Sequence, residues 1–262
     1  MPWVIVTGAA KRLGAVTALA FARAGHDVVV HYNRSQSEAA AQVAKIEALG
    51  RKALAVQADL AMPGDIAALF ATLANHMIEP ATLINSASIF EYDTVETLNA
   101  GSLTRHYATN TEAPVLLAQH FARTLAAGTE GSIVNLLDQR LFNLNTDFVS
   151  YTLSKYALLG ATSILAMALA PRVRVNAVAV GLVLQSGGQS DAAFQHVHGL
   201  TPLGRGTRAE DVADAVVFLS QNRSATGSIL TIDAGQSLDP RRRDVMFSYH
   251  DNATIQGGGD NG

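Results

Sequence analysis

Cysteine is absent from the 262 residues, which removes disulfides, thiolate metal sites and cysteine nucleophiles together. The eight histidines are scattered, and none belongs to a carboxylate–histidine motif with i, i+4 spacing, so no metal site is expected. Charged residues reach only 16%, and the net charge of −3 offers no general attraction to nucleic acid or to anionic lipid. Long apolar runs are lacking too. The most apolar helical stretch, Ala157 to Leu169, is interrupted by Gly160, Thr162 and Ser163 and ends before Pro171, which suits a buried helix and not a membrane span. No basic-then-apolar leader stands before the strand-like Trp3–Val6, so a cytoplasmic location is expected.

What is present is an apolar fraction of 48%, spread over a length that suits one α/β unit. Apolar β-branched runs at Val4–Val6, Val28–His31, Ala53–Gln57, Thr82–Asn85, Ser132–Leu136, Val173–Val178 and Ser228–Ile232 predict seven strands. Helical patterns fall between them, at Leu13–Ala24, Ser37–Leu49, Gly64–Asn75, Leu103–Leu125, Tyr151–Leu169 and Ala209–Ser220. This alternation predicts a single-domain α/β, Rossmann-like doubly wound fold: a seven-stranded parallel sheet with helices on both faces. The domain is expected over residues 1–238. A Gly-, Ser-, Gln- and His-rich stretch at 182–207 reads as a substrate flap. Residues 239–262 read as a tail with a disordered end, and its Arg241-Arg242-Arg243 as a solvated charge run.

The turn after the first strand, Thr7-Gly-Ala-Ala-Lys-Arg-Leu-Gly14, opens a helix. Gly8 permits the tight turn, Gly14 permits close helix packing, and Lys11, Arg12 and Leu13 ride the helix N-terminus that would receive a pyrophosphate. A carboxylate ending the second strand would hold the ribose of NAD. This chain instead has His31-Tyr32-Asn33-Arg34-Ser35, where Arg34 and Ser35, with Arg12, suit a 2′-phosphate, so NADPH is the expected cofactor. The plainer alternative makes Arg34 a solvated residue with Ser35 or Ser37 capping the next helix. Asp59 and Leu60 after the third strand could embrace the adenine, or Asp59 could cap the following helix.

Tyr151 and Lys155 are four apart and share a helical face. A nearby ammonium favours the phenolate and would draw a phenol toward use as a proton donor near neutral pH. Each residue alone could be packing or surface; together, beside a nucleotide turn, they suggest catalysis.

With these motifs in order, the chain resembles the short-chain dehydrogenase/reductases over about residues 3–238. Asn85-Ser86-Ala87-Ser88 matches their adenine-side motif, Asn110 their structural asparagine, and Tyr151 and Lys155 their Tyr-x-x-x-Lys. Within that superfamily it is most similar to the pteridine reductases, including the dihydromonapterin reductase type, whose cofactor signatures resemble Thr7–Gly14 and His31–Ser35. In that group an Asp replaces the usual active-site serine, and Asp138 stands at the matching place, thirteen residues before Tyr151. The resemblance implies that Phe90 stacks a pterin against the nicotinamide and that Ser88 faces both cofactor and substrate. It also implies that Asn110 supports Lys155 through water, and that the protein is a homotetramer or dimer. Departures are Ser86 where Asn is usual, Val180-Gly181 where Pro-Gly is common, and Arg140 beside the active-site Asp.

A serine suits a ketone oxygen because it can donate and accept at once. A pterin C=N bond needs a proton on nitrogen as carbon takes hydride, which Asp138 could supply or relay through Tyr151. The resemblance therefore implies NADPH-dependent reduction of a dihydropterin to the tetrahydro form. The alternatives are a short-chain carbonyl reductase acting on 3-oxoacyl thioesters or small ketones, and a non-catalytic NADP-binding regulator.

Overall fold

A computed structural model describes residues 2–185 and 190–247. Seven strands, β1 (Trp3–Val6), β2 (Asp27–Tyr32), β3 (Ala53–Gln57), β4 (Pro80–Asn85), β5 (Gly131–Asp138), β6 (Val173–Val180) and β7 (Ile229–Ile232), form one sheet. Their order is β3-β2-β1-β4-β5-β6-β7, and each neighbouring pair is parallel. The chain winds one way from β1 to β3, then returns to the other side of β1 with β4. That reversal opens a crevice at the carboxyl ends of the strands, where such sheets bind ligands.

Strand alternation divides the core between two layers. Val4 and Val6 of β1 face α1 (Arg12–Arg23), α2 (Gln36–Ala48) and α8 (Ala209–Gln221), meeting Phe21, Ile46 and Val216. Ile5 faces the other way, toward α3 (Pro63–Asn75) and α5 (Ala113–Thr124), meeting Leu69, Leu117 and Phe121. Both layers are fully buried at these positions, as the near-continuous apolar strands require.

Two expectations change in detail. The helix expected over Leu103–Leu125 is three pieces: α4 (Ala100–Tyr107), a π-helical turn over Ala108–Glu112, and α5. The wide turn contains Asn110, whose side chain is wholly buried and hydrogen-bonded, and such bulges commonly mark functional positions. Helix α6 (Val149–Leu169) is 21 residues, longer than the apolar run in the sequence and long and apolar enough to cross a membrane by length and composition. Here one face lies against β5 and β6 and buries Tyr151, Thr152, Ser154, Lys155 and Leu158, while Leu153, Ile164 and Met167 on another face stay exposed. The 182–207 stretch holds a further helix, α7 (Asp191–Gly199), capped by Ser190, whose hydroxyl accepts from the Ala193 N–H; the rest of its expected flap at 186–189 lies outside the described residues.

Candidate active site

One cavity of about 490 Å³ runs along the crevice. At one end are Gly8, Lys11, Arg12, Leu13, Gly14, Asn33, Asp59 and Leu60; at the other are Phe90, Asp138, Tyr151 and Lys155, with Ala87, Ser88 and Gly181 between or beside them.

The glycine turn is built by backbone. Gly8 has φ +65°, in the left-handed region, and a side chain there would press the Ala87 backbone at 3.1 Å. A Cβ on Gly14 would collide with the Gly8 carbonyl, so helix α1 approaches the turn as closely as it does only without one. Thr7 Oγ1 donates to the Ile84 carbonyl at 3.3 Å and accepts from the Ser86 and Ala87 N–H groups at 2.9 and 3.0 Å. His31 does comparable work on the opposite side. The Gly8 N–H donates to His31 Nδ1 at 3.0 Å, which leaves Nε2 to donate to the Ala58 carbonyl at 3.1 Å. Burial lowers the His31 pKa to about 4, so the imidazole is neutral, as that bond requires. The sequence placed His31 at the head of the His31–Ser35 signature but did not disclose its bonds, which depend on the turn at Gly8 and on β2 and β3 being neighbours.

These features fit a dinucleotide: a backbone approach cleared of side chains and a helix N-terminus facing the cavity. Lys11 and Arg12 are exposed at its rim. Lys11 is ion-paired with Glu38, and Arg12 Nη1 donates to the Gln185 carbonyl at 2.9 Å. Arg34 is exposed and Ser35 takes the N-cap position of α2, as the plainer alternative places them, but without a side-chain capping bond. Arg34, Ser35 and Tyr32 do not line the cavity itself; Tyr32 packs partly buried on the core. Asn85 lies behind the wall, donating to Asn135 Oδ1 at 2.8 Å. The Asp59 carboxylate accepts from the Ala61 N–H at 3.1 Å and so shapes a turn, while Met62 occupies the N-cap of α3.

At the other end, Asp138 closes β5. Its Oδ2 accepts from the Tyr151 hydroxyl at 2.8 Å, and its Oδ1 from the Arg140 N–H at 2.8 Å. Lys155 Nζ donates to the Leu136 carbonyl at 2.8 Å and lies 5.7 Å from the Tyr151 ring centre. The sequence expectation was that Lys155 would draw the Tyr151 phenol down. Burial and then the facing Asp138 carboxylate instead push it well above its ordinary value, so Tyr151 holds its proton. Burial lowers Lys155 to about 8, with Asp138 opposing the shift.

Asn110 does not reach Lys155 with its side chain. Oδ1 accepts from Ser88 Oγ and the Ile89 N–H at 3.1 and 2.9 Å, and Nδ2 donates to the Ile89 carbonyl and Ser154 Oγ, both at 3.0 Å. All four bonding positions of the amide are filled, so a water chain from this side chain has no free site. Asn110 instead ties the Ser88 loop to α6, one residue before Lys155.

Phe90 is 40% exposed over the cavity. Its ring stacks on Phe148 at 4.1 Å and meets Tyr151 edge-on at 4.7 Å. Phe148 has φ 56°, a strained setting for a bulky residue.

The sequence marked Arg140 beside Asp138 but missed the partner that completes this end. Arg140 is 2% exposed and pairs with Asp244, a hundred and four positions away, and Asp244, Val245 and Met246 line the cavity. The arginine run expected to be solvated is partly engaged: Arg243 holds the buried Asp147 carboxylate at 2.9 Å, and Arg241 pairs with Asp239. Burial pushes Asp147 up, but hydrogen bonds from Arg243 and the Asp244 N–H outweigh it and leave the carboxyl low. Among the described residues no cluster of His, Asp and Glu could hold a metal ion.

Residues 8–237 match the family described as enoyl-(acyl carrier protein) reductase. The chain belongs to the short-chain dehydrogenase/reductase family. Within it, the chain is similar to a crystal structure of FolM alternative dihydrofolate reductase 1 from Brucella canis in complex with NADP. That likeness has a TM-score of 0.87 and 38% identity, covering 93% of this chain and 96% of the other. It is 33% identical to an oxidoreductase of Methylorubrum extorquens, over 88% of this chain and 96% of that protein. It is also 29% identical to pteridine reductase 1 of Leishmania tarentolae, over 90% of this chain and 96% of that protein.

Proposed function

We propose that this oxidoreductase uses NADPH to reduce a pterin, taking a 7,8-dihydropterin such as dihydromonapterin or dihydrobiopterin to the tetrahydro form. The observation that carries the reading is the 2.8 Å hydrogen bond from the Tyr151 hydroxyl to Asp138 Oδ2. A carboxylate in that place pairs with ring nitrogens and amino groups, which a ketone lacks. The likeness to a FolM alternative dihydrofolate reductase bound to NADP and to a pteridine reductase supports both the cofactor and the substrate class.

Residues Gly8 to Gly14 would seat the pyrophosphate, Arg12, Arg34 and Ser35 the 2′-phosphate, and Asp59, Leu60 and Ala87 the adenosine side, with Asn85 supporting the wall from behind. The bound cofactor supplies a hydride to a ring carbon of the substrate. This chain's part is to hold the pterin flat on Phe90 and to deliver the matching proton. Tyr151, kept protonated by burial and by Asp138, is the donor, and Asp138 restores that proton from solvent or anchors the amino-pyrimidine edge. Lys155 holds the nicotinamide ribose and steadies the phenol as its proton leaves. Ser88 would face both cofactor and substrate, Gly181 would lie on the cofactor side, and Asn110 fixes the loop that carries Ser88. We place the reaction in the cytoplasm and the enzyme in a homotetramer, for which the exposed Leu153, Ile164 and Met167 on α6 offer an apolar face.

Purified protein is offered NADPH with a dihydropterin, and separately with a 3-oxoacyl thioester and a small ketone. Oxidation of NADPH with the pterin supports the proposal. Turnover on the thioester or ketone alone moves the chain to the carbonyl reductases, and cofactor binding with no turnover on either panel makes it a regulator.

A further inference from the structure

Residues 239–247 do not trail from the domain; they return across the substrate end of the cavity. Asn143 Nδ2 donates to the Gln236 and Asp239 carbonyls at 3.2 and 3.1 Å, holding the start of the segment. Arg243 and the Asp244 N–H both bond the buried Asp147, the latter at 2.7 Å. Phe247 packs on Tyr92 at 5.3 Å and over Phe148 at 6.3 Å, so its anchor belongs to the same aromatic group as Phe90.

Asp244 is the residue that turns this segment into a wall. It lines the cavity together with Asp138, and its carboxylate engages Arg140 while Oδ1 accepts from the Met246 N–H at 2.9 Å. Arg140 is 2% exposed, and its Nε is buried without a hydrogen-bond partner among the described residues, so an incoming group can reach it only through Asp244. Its Nη1 donates to Asn145 Oδ1 at 2.6 Å and to the Asp147 carbonyl at 3.2 Å, its Nη2 is taken by Asp244, and its guanidinium lies 5.1 Å from the Phe148 ring centre. A substrate arm entering here therefore meets two carboxylates and a buried guanidinium already ion-paired with Asp244.

We propose that residues 239–247 form a strap across the substrate end, and that Asp244, by occupying Arg140, makes the site accept neutral side arms and turn away carboxylate-bearing ones. Arg140 is a positioning residue in this scheme, and Asp244 determines specificity. An incoming carboxylate would have to displace Asp244 to reach Arg140, and would lie beside Asp138 and Asp244 as it did so, a like-charge arrangement that weakens binding. A hydroxyl arm meets no such opposition, because it can donate to a carboxylate. The choice of pterin ligands in the test rests on the function proposed above; the charge rule does not.

Calorimetry on the NADP+-loaded protein with 6-hydroxymethylpterin and 6-carboxypterin, two ligands of similar size that differ in charge, tests it. The native protein is expected to bind the neutral ligand about tenfold more tightly, and Asp244→Asn to erase most of that ratio. Because Asp244→Asn leaves Arg140 buried without its charge partner, the double variant Arg140→Met/Asp244→Leu provides a second reading. Replacing a buried ion pair by apolar side chains is commonly tolerated, and it should bring the ratio toward one with NADP+ affinity unchanged. Equal binding by the native protein, or a ratio unmoved in both variants, overturns the proposal. If the pterins bind with the expected ratio but their dihydro forms give no turnover, the proposed function falls and the charge rule stands. If neither pterin binds, ethyl acetoacetate and acetoacetate pose the same question, and failure to favour the ester overturns the rule.

Discussion

At the glycine-turn end of the cavity the chain presents backbone, while at the Tyr151 end it presents buried charge. Gly8, Gly14, Thr7 and His31 shape the first end through N–H groups, carbonyls and missing side chains, and its cations, Lys11, Arg12 and Arg34, are exposed. The second end keeps Arg140, Lys155 and Asp147 almost wholly out of solvent and gives each a partner: Asp244 for Arg140, the Leu136 carbonyl for Lys155, and Arg243 for Asp147. The two constructions suit different ligands. A pyrophosphate can be recognised by backbone geometry, whereas directing a proton to one atom needs titratable groups whose environments are controlled.

If the first end works by cleared backbone, the largest effect comes from filling it. Gly14→Val should weaken NADPH binding by about a hundredfold, read by fluorescence titration, because the new side chain strikes the Gly8 carbonyl. Unaltered affinity would mean that helix α1 can retreat without consequence.

His31 sharpens the same contrast through pH. Its folded pKa is lowered from 6.5 to about 4 by burial, so between those values the unfolded chain takes up a proton that the native protein refuses. Stability should thus fall as pH drops through that window, by up to about 3 kcal/mol, and then level off. Urea unfolding across the window checks this, and His31→Leu, though weaker at neutral pH, should lose that part of the slope.

Arg34, exposed at the first end, should matter for choice of cofactor and not for chemistry. Arg34→Ala is expected to raise the KM for NADPH about tenfold and to leave NADH kinetics nearly unchanged. Equal effects on both cofactors would remove it from the 2′-phosphate site.

The smallest expected effect lies at the buried end. Lys155 titrates near 8, lowered by burial, so kcat/KM for the pterin should decline several-fold as pH rises through that value and the ammonium is lost. A level profile there would mean that the charge on Lys155 is not used.

The same contrast explains what the sequence disclosed. The seven strands and their parallel, helix-covered arrangement were legible from apolar runs alternating with helices, and the glycine turn, Tyr151 and Lys155 are each contained within a few residues of chain. Asp138 was legible because a resemblance gave its distance from Tyr151. Arg140 and Asp244, Asp147 and Arg243, and Gly8 and His31 were not, since their pairing depends on segments brought together by the fold from 104, 96 and 23 residues apart. The direction of the Tyr151 shift was also hidden. It depends on how deeply the phenol is buried and on its bond to Asp138, and helical spacing reports only that Lys155 is near.

The most direct test of the central claim is NADPH oxidation with a 7,8-dihydropterin by the native protein, Tyr151→Phe and Asp138→Ser, with cofactor affinity measured alongside. Turnover by the native protein that falls about a hundredfold or more in both variants, while NADPH binds each as before, is the predicted result. Pterin turnover that survives in Asp138→Ser, or a ketone activity that Asp138→Ser improves, would contradict the proton path through the Asp138–Tyr151 pair.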